Sequence, residues 1–237
     1  VKQAREWRRL NDSRVKDGIH IILQQGTYPQ EKTLFFRPED SGTESSPTTI
    51  QAAEGEEVII SGGIPVIGWK KTDTNLWVTD APLVGNRHLE FRQLWVNGKK
   101  AQRASQFKDG IMERMIDFDK EKETITIPTP QIKGLEKAKQ LEMIVHQRWA
   151  IAILRVKKLD IQGNKTIVSF HNPESQLEFA HPWPQPVIGE SKENSSFCLT
   201  NALELLDEPG EWFQEYPSGK IYYYPREGEE MNQVSVI

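Results

Sequence analysis

The sequence predicts a mainly β protein that begins with a short helix and the first coils of a β-solenoid and continues into an antiparallel β domain. Two observations support this prediction. Short apolar runs recur between polar turns near the N-terminus, and none is long enough for a core helix. Farther along the chain, tight hairpin signals such as Asn97-Gly98 replace these longer turns.

The segment 19–63 has runs of strand composition at 19–23, 34–37, 48–52 and 58–61. Glycine, proline and serine residues separate these runs, as turns require. Short strands of this kind fit either an antiparallel sandwich or the coils of a β-solenoid. No two-residue hairpin turn joins neighbouring runs, and we therefore favour the solenoid, whose coils pair in parallel.

The first ten residues have an amphipathic pattern that predicts a helix over 2–10. Ala4, Trp7 and Leu10 recur at a spacing of three, whereas the three arginines of this segment face elsewhere. A solenoid has an open apolar end that an amphipathic helix can cover, so we interpret this helix as a cap. A basic helix that binds a membrane surface or a partner is the alternative.

Hairpin signals dominate the segment from 68 to about 170. Asn97-Gly98 is the strongest of them, because both residues accept the positive φ of a type I′ turn. The stretch 162–165, which contains Gly163 and Asn164, joins a second pair of strands. The segment 171–196 is rich in proline and polar residues and predicts an ordered surface loop.

These patterns predict three segments. Residues 1–67 hold the cap helix and the first solenoid coils, and residues 68–200 form an inserted antiparallel β domain that ends in the proline-rich loop. Residues 201–237 form a hairpin and return to the solenoid. The last strand has no capping element, so we expect the chain to be a fragment of a longer protein.

Several motifs of the first segment resemble the opening coils of the pectin-lyase-like right-handed parallel β-helix proteins. They are G-T-Y (26–28), R-P-E-D-S-G-T (37–43), I-Q-A-A-E-G-E (50–56) and I-I-S-G-G (59–63). The likeness is to secreted glycoside hydrolases of that fold, a group that includes α-L-fucosidases and β-xylosidases. A more specific likeness follows in N-A-L-E-L-L-D-E-P-G-E-W-F (201–213), because those hydrolases carry a very similar E-L-L-D-E-P-G-E-W-Y.

The resemblance implies a carbohydrate-active enzyme, with oligo- or polysaccharide as its partner. In such enzymes the catalytic carboxylates lie on later coils of the β-helix, so it implies that the catalytic residues come after residue 237. It also implies that the rest of the β-helix packs on this chain, and that the protein is secreted, periplasmic or displayed at the cell surface.

Three clustered acids invite a catalytic interpretation. Asp207, Glu208 and Glu211 could supply the two carboxylates that a glycosidase places on either side of the scissile bond. The alternative is a β-turn at 207–210 with solvated acids, followed by Glu211 at an exposed strand position. We favour the turn, which agrees with the resemblance.

The candidate carbohydrate-binding residues are His146, Trp149, His181 and Trp183. Each histidine lies two or three residues before a tryptophan. An indole ring offers an apolar platform to the face of a sugar, and a histidine offers a nearby hydrogen bond. Two core tryptophans and two surface histidines would be the structural alternative.

Composition and motifs exclude several other classes of function. The net charge is −4 and the basic residues are dispersed, which argues against nucleic acid. No apolar run is long enough for a membrane span. The sequence has no phosphate-binding loop, metal motif or cofactor motif, and we expect neither metal nor cofactor. Its one cysteine, Cys198, is predicted to be a buried apolar residue.

The sequence therefore predicts the non-catalytic N-terminal fragment of a secreted β-helix enzyme, of the glycoside hydrolase class. A carbohydrate-binding or adhesion module and a polysaccharide lyase on the same fold are the alternatives. Paired acids on later coils would favour a hydrolase, and a basic residue beside a calcium pocket would favour a lyase.

Overall fold

The computed structural model describes residues 1–10, 13–30, 32–182, 185–189 and 193–237. The chain divides into two compact units, Val1–Ile64 and Pro65–Ile237. Within the described ranges, no helix is long and apolar enough to cross a membrane.

The described part of the first unit is built from one α-helix and two pairs of parallel strands. The elements are α1 (Lys2–Arg9), β1 (Ile19–Leu23), β2 (Gly26–Pro29), β3 (Thr48–Ala52) and β4 (Val58–Ser61). Strand β1 pairs in parallel with β3, and β2 pairs in parallel with β4. The parallel pairing predicted for this part of the chain is confirmed.

Two strand assignments in this unit are wrong. Residues 34–37 form no strand, and Phe35 and Phe36 are largely exposed. The backbone of this segment forms hydrogen bonds with side chains and not with a neighbouring strand. Arg5 donates to the carbonyl of Phe35, and the amide of Arg37 donates to Asp40. Conversely, the G-T-Y motif at 26–28, predicted as a turn, begins β2.

The predicted N-terminal helix is present, and one of its three apolar positions is buried. Ala4 packs against Val15 and Ile19 in the small core of this unit, with Trp7 partly buried beside them. Leu10, predicted to share this face, is 74% exposed because the helix ends at Arg9. The apolar stripe is therefore one turn shorter than the sequence pattern indicated.

Two arginines of α1 anchor the helix in addition to its apolar face. Arg5 donates from Nε and Nη2 to the two carboxylate oxygens of Asp40, at 2.8 and 2.6 Å. Arg8 donates to Ser46 and to the hydroxyl of Thr48. A bidentate contact such as that between Arg5 and Asp40 fixes the orientation of the two side chains and adds charge attraction.

The described part of the second unit is mainly antiparallel. Its elements are β5 (Lys70–Lys71), β6 (Trp77–Asp80), β7 (Leu83–Val84), β8 (Arg87–His88), β9 (Leu94–Val96), β10 (Lys99–Arg103), β11 (Glu113–Arg114), β12 (Asp117–Asp119), β13 (Thr124–Pro128), β14 (Glu142–His146), β15 (Ile151–Gln162), β16 (Lys165–Phe170), α2 (Glu174–Ala180), β17 (Ser196–Thr200), β18 (Glu211–Glu215) and β19 (Lys220–Tyr223).

A six-stranded sheet runs in the order β5-β6-β19-β18-β10-β9. Its contacts are antiparallel except between β10 and β18, which are parallel. Trp212 and Tyr223 are fully buried on one face, and Phe91 stacks on the Trp212 ring at 5.1 Å. The predicted turn between β9 and β10 is confirmed, because Asn97 and Gly98 both have positive φ, 49° and 69°.

A seven-stranded sheet runs in the order β11-β17-β14-β15-β16-β13-β12 and closes on itself. Its first and last strands, β11 and β12, follow each other directly in the chain. The amide of Met115 donates to Ser195 before β17, whereas the amide of Ile116 donates to Thr126 in β13. Closure leaves no free edge along this segment and encloses the larger core, in which Met143, Val145 and Val168 are fully buried.

The segment 171–196, predicted as a loop because of its proline content, contains a helix. Helix α2 (Glu174–Ala180) buries Phe179 beside Phe118 and Phe170. Pro173 precedes the first helical turn, where a missing N–H costs nothing. The rest of the segment, in its described part, has no helix or strand before β17.

The hairpin predicted after residue 200 is formed by β18 and β19. Its two strands lie inside the six-stranded sheet, between β10 and β6. Near the end of the chain, Val236 forms an antiparallel bridge with Val96.

Candidate functional site

The carboxylates of the D-E-P-G-E motif are held by a lysine far away in sequence. The Nζ atom of Lys108 lies 2.8 Å from Asp207 and 2.7 Å from Glu211. Lys108 also donates to the carbonyl of Ser105 at 2.7 Å. A single ammonium group therefore joins the start of β18, the turn before it and the chain after β10.

Glu211 is buried, contrary to the prediction of an exposed strand position. Its side chain is 3% exposed, and its Oε2 atom accepts hydrogen bonds from the amides of Asp207 and Glu208. Burial raises the pKa of Glu211, and Lys108 offsets this only in part. Burial also lowers the pKa of Lys108, but the hydrogen bonds that its ammonium donates to Asp207 and Glu211 outweigh this effect, so the net pKa is raised.

This arrangement differs from the open carboxylate pair of a glycosidase. A glycosidase leaves a gap of roughly 5–9 Å between its two carboxyl groups for the sugar and a water molecule. Here the ammonium of Lys108 lies between Asp207 and Glu211 and contacts both. The sequence could not reveal this role of Lys108, because its partner Glu211 is 103 residues away.

Three of the four candidate carbohydrate-binding residues lie at the ends of β14 and α2 or in the turn after β14. His146 ends β14 and pairs with Ile151, and both side chains are exposed. Trp149 lies in the turn between these strands and is 54% exposed, so it is not a core residue. His181 follows α2 and lines the same depression as Ile151. Trp183 lies outside the described residues.

The depression beside His181 has a volume of about 370 Å³ and combines apolar and polar groups. Ile151, Ile153 and Leu177 present exposed apolar side chains to it. Glu178 accepts a hydrogen bond from the side-chain amide of Gln147, and burial raises the pKa of its carboxyl. A partly apolar surface with convergent hydrogen-bonding groups is the kind that binds a small polar ligand.

A family model described as "GH141 insertion domain" matches residues 74–226 of the chain. The chain belongs to this family. A solved structure described as "Glycoside hydrolase" shares 46% sequence identity with it and superimposes with a TM-score of 0.89. The match covers 99% of this chain and 41% of that one, so the chain spans less than half the length of its structural relative. No curated protein matches the chain.

The insertion domain contains every described residue of both candidate clusters. The Lys108 cluster and the surface around His146, Trp149 and His181 all lie within the matched residues. The described part of the chain has no cluster of three His, Cys, Asp or Glu side chains that could hold a metal ion. The histidines and Trp149 were candidates from the sequence, whereas the sequence gave no signal for Glu178, whose place beside Gln147 follows from the docking of α2.

Proposed function

We propose that this chain is the non-catalytic N-terminal part of a secreted carbohydrate-active β-helix enzyme, a glycoside hydrolase that acts on polysaccharide or glycan. One observation carries the proposal: the chain is 46% identical over 99% of its length to a glycoside hydrolase that is more than twice as long. In this proposal the insertion domain contacts carbohydrate, and the catalytic carboxylates belong to coils beyond residue 237.

The first unit supports the assignment to a pectin-lyase-like right-handed β-helix. Its two parallel strand pairs are the contacts that successive coils of a solenoid make. Ile22, Ile59 and Ile60 are each about half exposed, as expected of coil positions that further coils would cover.

The Lys108 cluster supports a non-catalytic role for this part of the enzyme. Its two carboxylates are engaged by one ammonium and by backbone amides, and Glu211 is buried. A carboxylic acid that gives its proton to a sugar oxygen has to reach the substrate. Asp207 and Glu211 therefore belong to the turn that begins β18.

The insertion domain contacts carbohydrate through His146, Trp149 and His181, together with Trp183. The exposed indole of Trp149 offers an apolar face, and Glu178 and Gln147 offer hydrogen bonds beside Ile151. Secretion follows from the substrate class, since a polysaccharide is too large to enter a cell and must be met outside it.

The test is glycan binding by the purified chain and two matched variants. Trp149→Ala should weaken binding of neutral oligosaccharides by roughly three- to ten-fold, the range that aromatic contacts contribute. Trp95→Ala, at another partly exposed tryptophan of the insertion domain, should leave affinity unchanged. Isothermal titration with a panel of xylan, pectin and host-glycan oligosaccharides measures both. Absence of binding to the whole panel, or equal losses in the two variants, would contradict the proposal.

A further inference from the structure

A second groove on the insertion domain has an apolar floor formed by a row of cross-strand neighbours. Ile144 of β14 pairs with Ile153 of β15 on one side and with Cys198 of β17 on the other. All three line a groove of about 580 Å³, with the half-exposed chain around Ile111 on one side of it. This volume lies within the range of small-ligand sites, roughly 300–1,000 Å³.

The charged side chains of this groove are basic. Arg92, Lys100 and Arg103 line it together with His146, and none of the described residues that line it carries a carboxylate. The chain as a whole has a net charge of −4, so this concentration of cations is not a consequence of composition. A concave site lined by one sign of charge attracts ligands of the opposite sign.

The positive charge of the groove is only partly neutralised by the protein. Arg92 is paired with the buried carboxylate of Glu142, at 3.2 and 2.5 Å. Within the described part of the chain, no ion pair joins Lys100 or Arg103 to a carboxylate. Lys100 is exposed, and its charge is available to a ligand.

Arg103 is held in place by neutral groups. Its Nε donates to the side chain of Asn201 and its Nη2 to the hydroxyl of Tyr216, while its guanidinium lies over the Trp212 ring. Its Nη1 is buried without a hydrogen-bond partner among the described residues. Neutral partners fix a guanidinium but leave its charge uncompensated.

We propose that this groove binds an anionic sugar residue, with the ring against the Ile144–Ile153–Cys198 row and the charged group between Arg92, Lys100 and His146. A pyranose ring has an apolar C–H face and a polar edge, and it matches a site with an apolar floor and a hydrogen-bonding rim. The charged group is a carboxylate, as in a uronic acid, or a sulfate ester. The inference rests on the proposed carbohydrate role and names the charge class of the glycan.

The site is tested by nuclear magnetic resonance of the purified chain with ¹³C-labelled isoleucine methyl groups. The probes are oligogalacturonate, a sulfated galactan oligosaccharide and a neutral xylo-oligosaccharide of equal length. At least one anionic probe should shift the methyl signals of Ile111 and Ile144, which line the groove but not the depression beside His181, and added salt should weaken its binding. The probe that binds distinguishes carboxylate from sulfate. If neither anionic probe shifts these signals, or if the neutral probe shifts them equally, the inference fails.

Two neighbouring lysines of β10 give a matched pair of variants. Lys100→Glu should weaken binding of the anionic probe by about five-fold or more, because one partly exposed attraction is replaced by a repulsion. Lys99→Glu changes net charge equally on an exposed residue that does not line the groove, and its effect should stay within about two-fold. Equal effects of the two variants would overturn the inference. Methyl shifts that depend on protein concentration instead of ligand would also overturn it, in favour of an interface between two copies.

The outcome of the groove experiments can be distinguished from the outcome of the Trp149 experiment. Binding of neutral oligosaccharides that depends on Trp149 tests the surface around His181 and involves no charge. Neutral binding without anionic binding would remove the groove proposal alone. Anionic binding that is insensitive to Trp149→Ala would support the groove even if the first surface binds nothing.

Discussion

The two units use similar short strands but bury very different amounts of apolar surface. In the described part of the first unit, the buried apolar cluster consists of Ala4, Val15 and Ile19. The second unit has two such clusters, and they include the fully buried side chains of Phe197 and Trp212. The first unit instead exposes phenylalanines and isoleucines, of which Phe35 is 70% exposed.

The difference follows from how each unit treats its sheet edges and faces. In the second unit one sheet closes on itself and one face of the other sheet is covered. Alternate side chains therefore point into a buried apolar core. The first unit has two strand pairs in parallel, and such pairs need neighbours on further coils to cover their apolar faces. Strand composition alone therefore does not determine burial.

The largest expected effect compares two phenylalanines. Phe197→Ala removes a fully buried ring from the larger core and should lower the free energy of unfolding by about 3–5 kcal/mol. Phe35→Ala, at an exposed position of the first unit, should change it by less than about 0.5 kcal/mol. Urea unfolding followed by tryptophan fluorescence measures both. Similar losses would show that Phe35 is buried in solution and would contradict the contrast between the units.

The next effect compares a partly buried ion pair with an exposed one inside the insertion domain. Lys108→Met leaves Glu211 buried without its cation and should cost about 2–4 kcal/mol. Lys122→Met removes the exposed contact with Asp119, which water screens, and should leave the free energy of unfolding nearly unchanged. A small loss in Lys108→Met, measured in the same urea titration, would refute the structural role of this cluster.

A smaller effect concerns association through the exposed apolar side chains of the first unit. We expect the purified chain to self-associate as its concentration rises, because exposed apolar surface and unpaired strand edges favour contact. Ile60→Lys should weaken association by roughly ten-fold, because the apolar surface of Ile60 would no longer be buried between the associated copies. Ile161→Lys, at an equally exposed isoleucine of the insertion domain, should not. Sedimentation velocity measures association, and a monomer at every concentration would contradict this expectation.

The smallest effect is a pH dependence confined to the first unit. The hydrogen bond from Arg5 lowers the pKa of Asp40 to about 2, from an ordinary value of 3.8. Because the pKa is lower in the folded state, the stabilisation is present above the ordinary value and is lost as pH falls toward 2. Asp40→Asn should therefore be less stable than wild type at pH 6 but not at pH 2. Glu39→Gln is the control.

The indole signal of Trp7 reports this difference, because Trp7 packs on the small core of the first unit. A stability difference between wild type and Asp40→Asn that stays constant from pH 6 to pH 2 would mean that the Arg5 contact is absent in solution.

Local patterns in the sequence predicted the elements whose determinants are themselves local. The helix at the N-terminus, the parallel strands at 19–23 and 48–52, and the turn at Asn97-Gly98 all follow from spacing and turn chemistry. Helix α2 was missed because four prolines lie in the segment around it. The segment 34–37 was misassigned because it has the apolar composition of a strand although no strand pairs with it.

Long-range contacts explain what the sequence could not predict of the sites. Lys108 and Glu211 meet across 103 residues, and Arg92 and Glu142 meet across 50. The basic groove draws on β10 of the six-stranded sheet and on β14, β15 and β17 of the seven-stranded sheet, and only the folded chain brings the two sheets together there. His146 and Trp149 could be chosen from sequence, since an aromatic residue beside a histidine is a local signal.

The measurement that most directly tests the account is a combined binding and hydrolysis assay of the purified chain on aryl glycosides and polysaccharides. We predict saturable oligosaccharide binding, sensitive to Trp149→Ala, with no release of reducing sugar. Sugar release that disappears in Asp207→Asn or Glu211→Gln, while the fold is retained, would contradict the account. It would show that the carboxylates held by Lys108 are catalytic.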